Sequence, residues 1–108
     1  MPTFNDFMST LKNDLLDFAK DNLEEYKDGI LKDGTTFIKK TKSDLERWTE
    51  GLTSGALSKS DFEFLLKGKK DLAEMEALKQ LGLSKIRISK ITNGIINVVV
   101  GSAVKTFL

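Results

Sequence analysis

Apolar residues in the first half of this chain return every eleven positions. Phe4, Leu15, Tyr26, Phe37 and Trp48 form one row, and Met8, Ala19, Ile30, Thr41 and Leu52 form a second. Phe7 and Phe18 begin a third, while Asp6, Asp17 and Asp28 repeat on a polar phase. Eleven residues make three turns at about 3.67 per turn, so the stripe runs nearly straight along an α-helix. Straight or slightly right-handed packing follows, and left-handed supercoiling does not. The pattern predicts one long amphipathic helix over 3–52. Gly29 and Gly34 interrupt it, each costing a helix interior about 1 kcal/mol relative to alanine, and Asp33-Gly34 has turn chemistry. The stripe nevertheless keeps its phase from Tyr26 through Ile30 to Phe37, where a turn would normally reset it. The alternative is a break near Gly34, giving helices 3–32 and 36–52 within a four-helix bundle.

Gly51 to Leu57 reads as a loop. Ser58 with Asp61, or Ser60 with Glu63, can form a capping box that opens the next helix, and Leu57 with Phe62 suits a hydrophobic staple. This helix is expected over 58–81, burying Phe62, Leu65, Leu66, Leu72, Met75 and Leu78, with Gly82 as the left-handed residue after it. Ser84 then caps a third helix over 84–108. The Ile- and Val-rich composition there favours strand by propensity. Lys90, Asn93/Gly94, Asn97, Gly101 and Lys105 instead recur every three to four residues, a narrow polar or small stripe along a helix. Nothing else in the chain reads as a strand to pair with. Ile88, Ile91, Ile95 and Val99 form its packing or lipid face, and Gly94 and Gly101, with Asn97 between them, suit close helix–helix contact.

Geometry extends the picture. A helix over 3–52 would be about 75 Å long, whereas a compact domain of 108 residues has a radius of gyration of about 13 Å. A hairpin of two helices of about 36 Å each would cover only half of such a rod. The expectation is therefore a single all-α domain, 1–108, with a long helix followed by a helical hairpin. It would assemble as a coiled-coil-like or bundled homo-oligomer, with Phe4, Leu15, Tyr26, Ile30, Phe37 and Trp48 as the oligomer seam.

Composition removes most chemistry. The chain has no cysteine and no histidine, so disulfides, Cys/His zinc sites and the commonest general base are absent. Glu24, Glu25 and Asp28, and Asp71, Glu74 and Glu76, are the only catalytic-looking groups, but lysines interleave with them as on a solvated helix face. No phosphate loop or calcium loop occurs. No cofactor, no metal and no enzymatic activity is expected. The net charge of +1 and the acids flanking Lys39, Lys40 and Lys42 argue against nucleic acid.

Charge is unevenly spread. Acids crowd residues 1–33, and after Glu76 there is none, while Lys79, Lys85, Arg87, Lys90 and Lys105 remain. Pairing of the acidic and basic ends is one reading. The other sets Lys85, Arg87 and Lys90 against an anionic membrane. The eleven-residue period is similar to that of exchangeable apolipoprotein and synuclein helices, a likeness of period alone, since their repeat motifs are absent. The start of the chain lacks the pattern of a signal peptide, so a cytoplasmic protein is expected. Its function is read as a self-associating scaffold or protein-interaction module, with peripheral membrane association as the alternative.

Overall fold

In the computed structural model, which describes residues 2–21, 26–69 and 75–108, every regular element is a helix. In chain order they are α1 (Phe4–Asp21), α2 (Lys27–Ser54), α3 (Lys59–Lys67), α4 (Glu76–Gln80) and α5 (Lys85–Phe107). Capping chemistry sets several starts. Ser58 and Asp61 exchange backbone-to-side-chain hydrogen bonds of 3.0 and 3.1 Å at the head of α3. Thr3 and Asp6 do the same for α1, at 2.8 and 3.1 Å. At α5 the Arg87 N–H donates to Ser84 Oγ. Gly82 takes the expected left-handed φ of 76°.

The uninterrupted helix over 3–52 is not formed. α1 ends at Asp21, α2 begins at Lys27, and the two pack against each other. The division does not fall at Gly34 either, because Gly34 lies buried inside α2. A Cβ there would lie 3.0 Å from both Leu15 methyls, so the glycine lets α1 close on α2. The molecule measures 42 × 24 × 19 Å with a radius of gyration of 13.6 Å. Its long dimension is that of α2 alone, whose length is about 42 Å at 1.5 Å per residue.

The expected helix over 58–81 also differs. α3 stops at Lys67, and Met75 has a φ of 52°, which no right-handed helix running through that position allows. A separate short helix, α4, starts after it. Leu72, expected to be buried, lies outside the described residues.

α5 is the centre of the fold. It packs on α1, α2 and α3, and buries Ile91, Ile95, Ile96, Val99, Val100 and Ala103. A Cβ on Gly94 would lie 2.4 Å from Phe18 Cζ, so that glycine admits the α1 ring, whereas Gly101 has no neighbour within 4 Å of a Cβ and Asn97 is exposed. Phe7 meets Phe107 at 5.9 Å between centroids, and Trp48 meets Phe62 edge-on at 6.4 Å. Both eleven-residue rows enter this core. Leu15, Phe37, Ala19, Ile30 and Leu52 are buried, and Thr41 is buried with its hydroxyl donating to the Phe37 carbonyl at 2.9 Å.

Phe37 is 1% exposed and Phe64 is 77% exposed. Phe37→Ala should therefore destabilise the chain by about 3–5 kcal/mol, and Phe64→Ala by less than about 0.5 kcal/mol. Urea denaturation followed by circular dichroism checks both.

Candidate functional site

Polar side chains of Asp33, Asp14 and Asp44 join helices to one another. Asp33, on α2 and 7% exposed, caps the first turn of α4 by accepting the Ala77 N–H on Oδ1 at 3.0 Å and the Leu78 N–H on Oδ2 at 2.9 Å. Asp14, on α1, accepts from Ser102 Oγ at 2.7 Å and Lys105 Nζ at 3.1 Å, both on α5. Asp44, on α2, pairs with Arg47 and with Lys69 beyond α3, the latter at 3.2 Å. Desolvation pushes the Asp44 carboxyl up, but the hydrogen bonds and charges of Lys69 and Arg47 outweigh it and hold the group below its ordinary value. Asp61 is also held low, first by the Ser58 N–H and then by the Ser58 hydroxyl. These carboxylates serve helix ends and helix contacts. Among the described residues no group of three or more His, Cys, Asp or Glu is placed to hold a metal ion.

An open groove of about 790 Å³ lies between α1 and α2. Leu11, Leu15 and Ile38 form its buried floor, and Met8, Leu16 and Leu31 its half-buried walls. Asn5, Ser9, Asn13 and Thr35 supply neutral polar groups. Among the described lining residues, Lys12 on one wall and Lys39 on the other are the charged ones. α3 packs on α5 and α2, and α4 on α2, and none of their described residues lines the groove. Its described lining is mostly apolar and concave, the character of ligand-binding clefts.

Comparison with protein-family models, curated proteins and solved structures found no match to this chain.

A second surface lies where α4 leads into α5. Leu81 is 52% and Ile86 74% exposed, and Lys85, Arg87 and Lys90 are exposed on the same stretch. Arg87 stacks on the Tyr26 ring at 5.7 Å from its centroid. No helix among the described residues is long and apolar enough to cross a membrane.

The residues singled out in the sequence are thus divided by the fold. Leu15, Ile30 and Phe37 are buried within the chain, and Phe4, Tyr26 and Trp48 are half-buried against its core. Ile91, Ile95 and Val99 face the interior, with Ile88 and Gly94 half-buried. Asp28 and Glu76 of the acidic groups are exposed, whereas Glu24, Glu25, Asp71 and Glu74 lie outside the described residues. The groove was missed. Its signal was nonetheless present, because Leu16 and Leu31 are apolar residues standing outside the eleven-residue rows.

Asp33→Ala removes both acceptors at the head of α4 and should cost about 1–3 kcal/mol, the penalty for buried unpaired N–H groups. Asp33→Asn should recover part of it through its one amide oxygen. Thermal denaturation of the two variants measures the difference.

The lowered carboxyls give a pH signature. A group whose folded pKa lies below its unfolded value stabilises the fold above the unfolded value and loses that effect as pH falls through the folded one. Asp61→Asn and Asp44→Asn should therefore lower the urea midpoint at neutral pH. Well below the ordinary carboxylate value of 3.8, each variant should match the parent chain.

Proposed function

We propose that this chain is a non-enzymatic helical protein-interaction module whose contact surface is the α1/α2 groove. The observation that carries the reading is the groove itself. Leucine, isoleucine and methionine line a concave channel that none of the described elements fills. Helix-in-groove docking uses this geometry, with apolar anchors at i, i+3 or i+4, and i+7 of a partner helix. Of the seam expected to drive homo-oligomerisation, Leu15, Ile30 and Phe37 lie in the chain's own core, and Phe4, Tyr26 and Trp48 pack half-buried against it.

A second reading is supported by the exposed Leu81 and Ile86 beside Lys85, Arg87 and Lys90. Bulky apolar tips flanked by cations fit an anionic lipid surface, to which each Lys or Arg adds about 1 kcal/mol of salt-sensitive attraction. Deleting 84–108 cannot test it, since α5 is the core of the bundle. Surface substitution can.

Two titrations separate the readings. Neutral amphipathic helical peptides should shift the NMR signals of the Met8 and Leu31 methyls, and Leu31→Glu should abolish binding without loss of helix content. Anionic vesicles should leave those methyls unmoved. Vesicle co-sedimentation that is lost in Ile86→Glu, with no peptide binding in the groove, would replace the first reading by the second.

A further inference from the structure

We infer that the helix accepted by the α1/α2 groove is acidic: an apolar stripe flanked by Asp or Glu, on a partner other than a second copy of this chain. This rests on the interaction-module reading and adds the partner's chemistry.

The argument begins with the rim. Lys12 stands on α1 and Lys39 on α2, so one cation borders each wall, and no Asp or Glu is among the described lining residues. Four lysines elsewhere are paired, Lys67 with Glu63, Lys69 with Asp44, Lys79 with Glu76 and Lys105 with Asp14, and what sets Lys12 and Lys39 apart from the remaining lysines is their place on the groove. Among the described residues neither Lys12 nor Lys39 has an ion pair. Both are exposed. Two unneutralised cations beside low-dielectric walls favour a ligand that brings carboxylates to the same positions.

The rim also selects against self-pairing through this groove. A two-fold interface brings one patch against itself. Lys12 and Lys39 of each copy would then share one apolar seam with no carboxylate between them, and like charges in a desolvating contact oppose it.

Length fixes the partner's footprint. The lining runs from Asn5 to Leu16 on α1, about 16 Å at 1.5 Å per residue. Three turns of a partner helix span that distance. Its apolar residues would meet Met8, Leu16 and Leu31, and its flanking carboxylates would reach the two lysines.

The test uses three labelled synthetic peptides with one apolar stripe and with Glu, Gln or Lys at the flanking positions. They are titrated by fluorescence anisotropy against the intact chain. The Glu peptide should bind tightest, weaken with salt, and exceed the Gln peptide by about tenfold, the effect of two rim pairs. A Lys12→Glu, Lys39→Glu double variant with unchanged helix content should reverse the order and favour the Lys peptide. Equal binding of the Glu and Gln peptides would overturn the acidic preference and leave the groove as a docking site. No binding by any peptide, with unmoved groove methyls, would overturn both. Glu-peptide binding indifferent to the charge reversal would place the contact elsewhere and sink the inference. A dimer in sedimentation equilibrium that Leu31→Glu dissociates would show a second copy in the groove. Vesicle binding lost on Leu31→Glu would show lipid there. Either result overturns the inference.

Discussion

The constraint behind this fold is the width of the apolar face of α5. Buried residues occur on it as adjacent pairs, Ile91 with Thr92, Ile95 with Ile96, Val99 with Val100 and Ser102 with Ala103. Neighbours in sequence point about 100° apart on a helix, so each pair asks for cover from two directions. One partner helix cannot supply that. α1, α2 and α3 do so together, and α1 can join α2 on this surface only by turning back along it. Gly34 and Gly94 mark where the close approaches occur, under Leu15 and Phe18 respectively. The polar members of the interface follow the same logic. Thr92 donates its hydroxyl to the Ile88 carbonyl, and Ser102 donates to Asp14, so neither is buried without a partner.

The helical character was legible because the apolar rows have a helical period. The length of the helix was not. A row that continues in phase from Leu15 to Tyr26 to Phe37 fits a straight rod, and it fits equally two helices that turn the same stripe toward each other. Periodicity reports which side of a helix is apolar and is silent on what covers that side. The inference from a 75 Å rod to an oligomer depended on the rod being unbroken. Once α1 lies on α2, the rows meet within one chain. Capping was read well at Ser58 and Ser84, where partner and cap are three residues apart. The box at Thr3 and Asp6 has the same spacing and was equally readable.

Features built from distant residues had no such signal. Asp33 reads locally as the first half of a turn. In the fold it stays helical and caps a helix more than forty positions away, with |i−j| of 44 and 45 to the N–H groups it accepts. That contact places α4 against α2 and accompanies the left-handed Met75 at the head of α4. A helix predicted over 58–81 from apolar spacing could not anticipate a terminus satisfied from another element. The groove was hidden for the related reason that its two walls come from separate helices.

A net charge of +1 says nothing about the charge of any one face, because it averages over faces that do not see the same solvent. On α1, Asp6 and Asp17 are exposed but do not line the groove, and Asp14 is drawn to Ser102 and Lys105 of α5. The carboxylates of α1 therefore stand outside the channel, while Lys12 stands at it. On α2, Asp33 is committed to α4 and Asp44 to Arg47 and Lys69, while Lys39 stands at the opposite wall. The acids near the groove's own helices that make helix caps and helix contacts are those withdrawn from its rim. A nearly neutral chain thus acquires a basic apolar channel by spending several carboxylates on its architecture. α3 packs on α5 and α2, and α4 on α2, while none of their described residues lines the groove between α1 and α2. Fold and proposed function therefore share one origin, the uneven coverage of three long helices by two short ones.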